Sequence, residues 1–384
     1  MHWALWIAGA PLVYWLTGGL LTSLLTYLYV PRLRPEPHGG AVAHAPLVSV
    51  ILSARDEERR IGEAVRSLLA QDYPHLEVIV VNDRSTDRTA EVLAGIEDRR
   101  LRVLSVRDLP TGWLGKTHGL WAGYRASKGE LLLFTDADVI YRPESVRTAV
   151  ACLEKRGLDD LTLFPGLELR SYLEAMFVTY FTIVFNLRYQ PWAARWTWSP
   201  YYVGIGAFQL IRRSAYERSG THQAVALDVA DDMMLGRALK RSGARQMAAF
   251  GTDLIRVRWV EGLAGVWEAL RKNAYRGVNY STAALIASTV MILIVDLAPV
   301  AGLFCPDPAV RTMSAVCLGL IALIYALGAL HTAWAPWCAP AHPLAGTLFV
   351  IILWRSAICA WIEGGVRWRG TLYPLKDLRA QLRR

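Results

Sequence analysis

Between residues 47 and 156, apolar runs of strand length alternate with segments of helical spacing. LVSVILS (47–53), LEVIVVN (76–82), LRVLSV (101–106) and ELLLFTD (130–136) are rich in Val, Ile and Leu. None shows the strict polar alternation of a half-exposed strand. Between them, EERRIGEAVRSLLAQ (57–71) puts Ile61, Ala64, Val65, Leu68 and Leu69 on one helical face. STDRTAEVLAGI (85–96) opens on Ser, Thr and Asp, which cap helices, and further helices are expected near 116–127 and 143–156. Strands buried on both faces and separated by helices predict a mostly parallel α/β sheet covered on both sides. Ligands of such sheets collect at the carboxyl ends of the strands. Polar residues fall there: Arg55, Asp56 and Glu57 after the first run, Asn82 and Asp83 after the second, Asp136 and Asp138 after the fourth.

The two ends of the chain follow another pattern. Residues 3–29 carry no charge, and residues 282–362 carry only Asp296, Asp307, Arg311 and Arg355. Segments 3–29, 282–304, 313–334 and 344–362 are long enough to cross a bilayer, which takes roughly 20 apolar residues. The first is too aromatic for a signal peptide and lacks a basic start. Arg32 and Arg34 on one side, and Arg271, Lys272 and Arg276 on the other, place the central domain on the cytoplasmic face of the cell inner membrane. The basic tail 365–384 belongs on the same face, whereas three full C-terminal spans would put it opposite, so the span count stays open. Asp296 is expected to pair with Arg355. The expected organisation is therefore an anchor (1–30), a Pro/Gly-rich linker (31–46), a cytoplasmic domain (47–280), a membrane region (281–364) and the tail. Within the domain, about 172–190 is too short to span and too apolar for water, which fits an interfacial helix followed by the aromatic run YQPWAARWTWSPYY.

Composition adds little against this picture. The 53% hydrophobic content reflects the apolar ends, and a net charge of +9 suits anionic headgroups and an anionic substrate. No basic run is interleaved with aromatics, which argues against nucleic acid. Five cysteines without metal-type spacing indicate a reducing compartment.

The chemistry resides in a few acids and one lysine. Asp136 and Asp138 would repel unless a partner intervenes, and a hard cation such as Mg²⁺ or Mn²⁺ resolves that conflict. Both could equally begin a loop and cap a helix. Asp83 stands where nucleotide-binding α/β proteins contact a ribose or base, yet it also suits a turn. Lys116 opens a helix within LPTGWLGKTHGL and suits a phosphate, although neither a P-loop nor GxGxxG is present. Asp231 and Asp232 begin an amphipathic helix, where acids favour the dipole or could serve as a general base. VGIGAFQLIRRSAYERSG (203–220) combines glycines with a following strand. His118 reads as structural.

Taken in order, SARDE, VVNDRSTD, FTDADV and DDMMLGRALKRSG resemble the family 2 glycosyltransferases of the GT-A fold over about residues 47–280. LPTGWLGKTHGL, GIGAFQLIRRSAYE and RKNAYRG are similar to the membrane-anchored branch with hopene-associated, diaponeurosporenoate and ceramide glycosyltransferases. The resemblance implies an inverting transfer of a single sugar from a nucleotide-sugar, UDP-linked by preference, to a hydroxyl of a lipid acceptor. It also implies roles. Ala54, Asp56 and Glu57 line the nucleotide pocket, Asp83 meets the base, and Lys116 the diphosphate. Asp136 sits by ribose and diphosphate, Asp138 binds the metal with Asp136 beside it, and Arg276 assists the nucleotide. Asp232 is the base, with Asp231 adjacent, and the acceptor lies near Gly206 and Gln209. NAYRG (273–277) keeps Arg276 of the QxxRW pattern of polymer synthases but lacks its Trp, which argues against a long polymer and leaves the role of Arg276 open. SGTH (219–222) departs from GGH, so a role for His222 is open as well. Two alternatives stand: transfer to polyprenyl phosphate, or an idle nucleotide-binding scaffold. Donor sugar, acceptor and oligomeric state are not legible.

Overall fold

A computed structural model describes residues 2–35, 45–329 and 335–382. Most of the 31–46 linker, and the last two arginines of the tail, lie outside the described residues. The chain forms two compact units: one of Val30–Glu168 with Pro191–Trp259, the other of Met1–Tyr29, Leu169–Gln190 and Val260–Arg383.

The first unit is built on an eight-stranded sheet. Its strands are β1 (Val48–Ala54), β2 (Leu76–Asp83), β3 (Leu101–Val106), β4 (Leu131–Phe134), β5 (Val139–Tyr141), β6 (Asp160–Leu167), β7 (Gln209–Arg212) and β8 (Gln246–Val257). The order is β3-β2-β1-β4-β7-β6-β8-β5. The first four neighbours pair in parallel, as their largely apolar runs predict. β7 runs antiparallel to both β4 and β6, and β5 antiparallel to β8. The sheet is thus mostly parallel with antiparallel insertions. Register sets the working edge: Ala54 lies opposite Asn82, and Phe134 opposite both Ile51 and Gln209. Because β7 is antiparallel, its first residue sits where β4 ends. The approach from Gly204 to Gln209 therefore reaches the same edge as Asp136.

Helix Gly115–Ala126 packs on this sheet at unusually close range. A Cβ at Gly119 would fall 2.3 Å from Ser53 Oγ, and one at Gly123 2.5 Å from Ile51 Cγ2. Glycine at this spacing lets the helix settle onto β1 and aims its first turn, with Lys116, at the strand ends.

Among the described residues, the second unit contains four helices long and apolar enough to cross a membrane: Ala8–Tyr29, Thr282–Gly302, Pro308–Gly328 and Ala335–Ile362. Helix Tyr172–Tyr189 packs with them through Ala175, Met176 and Tyr180, in a core shared with Trp15, Val295, Ile321 and Ala345. Asp296 does not pair with Arg355. It accepts a hydrogen bond from Tyr180 Oη at 2.7 Å and meets His342 Nε2 at 3.2 Å. Arg355 instead reaches Glu268 Oε1 and the Trp267 carbonyl, both at 2.7 Å. A buried carboxylate needs donors rather than a formal counter-charge; Tyr180 supplies one, and the His342 ring lies beside it. The long arginine extends toward helix Gly262–Gly277 and finds its acid there.

The tail returns to the place from which the apolar helices depart. Glu363 pairs with Arg271 at 2.5 Å, and Arg379 donates to the Tyr280 carbonyl at 3.0 Å. If Tyr280 and Glu363 lie at one membrane face, the chain between them crosses an even number of times, and one of the three helices there is not a complete span.

Candidate active site

The loops after β1 and β2 are stitched together by their own polar side chains. Asp56, at φ +55°, accepts from the Thr86 N–H at 2.7 Å and donates its own N–H to Ser85 Oγ at 3.1 Å. The Glu57 N–H donates to Thr89 Oγ1 at 2.8 Å, and the Glu58 N–H to Asp87 Oδ2 at 3.0 Å. Ser85, Asp87 and Thr89 thus brace a double loop, more than the helix cap read from sequence. Ala54 is fully buried at the end of β1. Asp83 is buried at the end of β2 and held two-pronged by Arg84, at 2.7 and 3.0 Å.

Lys116 is the hub of the edge. Its Nζ lies 2.7 Å from Asp136 Oδ1 and 3.4 Å from Asp231 Oδ2. Burial works against its charge, but the carboxylates of Asp136, Asp231 and Asp232 outweigh it and raise its pKa. Asp232 is fixed by two backbone donors: the Gly206 N–H to Oδ2 and the Met233 N–H to Oδ1, both at 2.7 Å. Burial pushes its carboxyl up, while Lys116 and these donors pull it down. Gly206 also faces Asp136, where an added Cβ would stand 2.6 Å from Oδ2. Asp136, Lys116, Asp231, Asp232 and Gly206 are therefore one cluster, drawn from four segments of sequence.

Asp138 has a different partner. β4 stops at Phe134 and β5 starts at Val139, so both carboxylates lie on the connection between them, each with its own cationic neighbour. Asp138 Oδ2 lies 3.4 Å from Arg60 Nη1. Burial, then Asp136 and Glu57, push its carboxyl up to about 6 against the pull of Arg60. Among the described residues, no group of three or more His, Cys, Asp or Glu side chains gathers as a metal cluster.

A cavity beneath the cluster is lined by Lys116, Thr135, Gly206, Gln209, His222 and Asp231. Gln209 is buried and donates to Asp160 Oδ2 at 3.2 Å, beside a second donor, Gln246, at 2.8 Å. Burial pushes Asp160 up to about 7 against those two donors. His222 is buried with Nδ1 2.6 Å from Tyr216 Oη. Burial and then Lys116 depress it to about 3, so the ring is neutral and walls the cavity. Arg276 belongs to the other unit, where Nη1 donates to Asn279 Oδ1 at 3.0 Å. Arg60, Arg84 and Asp160 were not legible as site residues. An arginine beside a loop acid reads as a solvated face, and Asp160 stands at the start of a strand that the pattern did not reveal.

Comparison with known proteins agrees with this architecture. Residues 49–220 match the model of Glycosyl transferase family 2. A 4,4'-diaponeurosporenoate glycosyltransferase of Staphylococcus aureus is 25% identical over 340 residues, covering 85% of this chain and 88% of that protein. A mannosyltransferase from Pyrobaculum calidifontis, solved in complex with GDP-Man and Mn²⁺, has the same fold. Its TM-score is 0.53 at 20% identity, over 91% of this chain and 99% of that one. Residues 49–220 thus match the family 2 glycosyltransferase domain, on a sheet unit of GT-A fold.

Proposed function

We propose that this enzyme moves one sugar, with inversion, from a nucleotide-sugar to a hydroxyl of a lipid acceptor in the membrane. The observation that carries the reading is the Lys116 hub. One ammonium joins a carboxylate on the donor side, Asp136, to the acids at the start of helix Asp231–Arg241. The four apolar helices, and the relative named for a diaponeurosporenoate acceptor, support a lipid substrate. The proposal keeps the division into anchor, linker, catalytic domain, membrane region and cytoplasmic tail.

In this reading Asp232 takes the acceptor hydroxyl proton as the oxygen attacks the anomeric carbon and the bond from that carbon to the phosphate oxygen breaks. Its two backbone donors hold the carboxylate in one orientation, so the approach is preset. Lys116 favours the ionised form of Asp232 against its burial and opposes the charge that develops on the diphosphate. Asp83, Asp56, Glu57 and Ala54 form the nucleotide end, Gly206 and Gln209 the acceptor end, and Asp231 steadies Lys116. For Arg276 the proposal is a contact with the donor.

Asp138 fits a divalent cation. Its carboxyl is partly exposed and crowded by Asp136 and Glu57, a negative excess that a cation relieves. Magnesium-type sites commonly use one or two carboxylates, with phosphate oxygens and water for the rest. When bound, Mg²⁺ or Mn²⁺ would supply charge stabilisation for the departing diphosphate, with Asp138 and Asp136 holding it.

The test incubates membranes containing the full chain with a panel of labelled UDP- and GDP-sugars, followed by lipid extraction. One labelled, single-sugar lipid is expected, and Asp138→Ala should abolish it. Label in a mild-acid-labile phosphodiester lipid would indicate a polyprenyl phosphate acceptor. No label in lipid from any donor would refute the reading.

A further inference from the structure

Arg60 precedes helix Ile61–Leu69 and joins three segments of the sheet unit. Its Nη1 donates to the Arg258 carbonyl at 2.9 Å and lies 3.4 Å from Asp138 Oδ2. The shorter bond is to backbone just past β8. The guanidinium is therefore anchored there and only leans on the carboxylate. The pair is open on one side, with side chains 30% and 27% exposed. Asp136 and Glu57 act on Asp138 with the opposite sign.

This arrangement has a consequence for any cation that uses Asp138. A dication approaching the bare carboxylate meets a guanidinium that backbone holds in place, and like charges in a partly desolvated site repel strongly. A nucleoside diphosphate reverses the balance, because its phosphates attract both charges at once. We infer that Arg60 makes divalent-cation binding at Asp138 conditional on the nucleotide: its guanidinium weakens cation binding to the empty site and strengthens it once the diphosphate is present. Coupling of this kind is reciprocal, so the cation must tighten nucleotide binding by the same factor. The inference rests on Asp138 as the cation's ligand.

A purely structural role for Arg60 makes the opposite forecast. If Arg60 only clipped Asp138 in place, removing it would loosen the ligand and weaken cation binding. Removing a repulsive charge strengthens it.

The experiment titrates Mn²⁺ into the full-length, detergent-solubilised enzyme and reads free Mn²⁺ by electron paramagnetic resonance, alone and with UDP or GDP. In the wild type, nucleotide should tighten Mn²⁺ binding by about tenfold or more, within the usual range of coupling. Arg60→Gln should bind Mn²⁺ alone about tenfold more tightly and lose most of the coupling. Arg60→Lys, which keeps the charge, should retain part of it and guards against a folding artefact in the glutamine variant. Unchanged or weaker nucleotide-free Mn²⁺ binding in Arg60→Gln overturns the inference. Undiminished Mn²⁺ binding in Asp138→Asn would instead remove Asp138 as the ligand, a different failure with a different signature.

Discussion

Replacing Lys116 with methionine keeps the length of the side chain and removes the ammonium 2.7 Å from Asp136 and 3.4 Å from Asp231. Unit charges about 4 Å apart interact by about 4 kcal/mol at the effective dielectric of such sites. Breaking a buried pair from one side costs ~3–5 kcal/mol. The Lys116 side chain is 21% exposed, which screens the pair and brings the expected loss to about 2–3 kcal/mol. The sign in pH follows from the carboxylates. Burial already raises Asp232, and Lys116 is the largest influence opposing it. Without it, Asp136, Asp231 and Asp232 share the site and take up protons more readily. The acid limb of the kcat/KM profile for sugar transfer should therefore move up by about one to three pH units. Groups whose folded pKa is raised above the unfolded value lose stability as pH rises between the two. The variant's stability deficit should accordingly be smaller in mildly acidic than in alkaline buffer. Lys116 itself has a raised pKa, so its contribution in the wild type is fully present at neutral pH and fades only in strong base. Transfer kinetics across pH, with thermal unfolding in acidic and alkaline buffers, read both effects. A variant with the wild-type acid limb and only a raised donor KM would show that Lys116 serves the diphosphate alone.

Gly206→Ala would place a methyl 2.6 Å from Asp136 Oδ2 beside the N–H that orients Asp232. Transfer should fall by about 10²-fold, as for a misplaced reactive group, with nucleotide binding changed far less; equal losses in kinetics and calorimetry would contradict this. Asp296→Ala strands the Tyr180 hydroxyl and should lower stability by ~1–3 kcal/mol in thermal unfolding. In double-mutant cycles it should couple to His342→Ala and not to Arg355→Ala, and coupling to Arg355 would restore the charge-pair reading. Single cysteines at Lys272 and Lys376, in a background cleared of native cysteines, should react with an impermeant thiol reagent from the same side of sealed vesicles. Labelling from opposite sides would refute an even number of crossings.

The parallel half of the sheet was legible because β1, β2 and β4 are largely apolar runs of strand length, each followed by polar residues at one edge. The other half was not. β5 has only three residues, and β6 contains Pro165 and Gly166, where its register with β8 shifts. A strand interrupted in that way leaves no periodic signature. Asp136, Lys116 and Asp232 could be listed from sequence and expected at one edge of one sheet, but the contacts through which Lys116 joins them could not be read. The cluster depends on the antiparallel β7, which brings Gly206 and Gln209 to the end of β4. The different partners of Asp136 and Asp138 depend on β4 ending at Phe134, before both of them. Asp296 was matched to the wrong partner because formal charge was sought, while hydrogen-bond donors were what burial demanded.

The proposal that Asp232 is the base acting on the acceptor is tested most directly by Asp232→Asn, which keeps the shape of the side chain and removes its basicity. Transfer of labelled sugar to lipid should fall by at least about 10²-fold, the usual scale of general-base catalysis. Nucleotide affinity, measured by calorimetry on the same preparation, should remain near the wild type. Wild-type transfer by Asp232→Asn would contradict the assignment of the site.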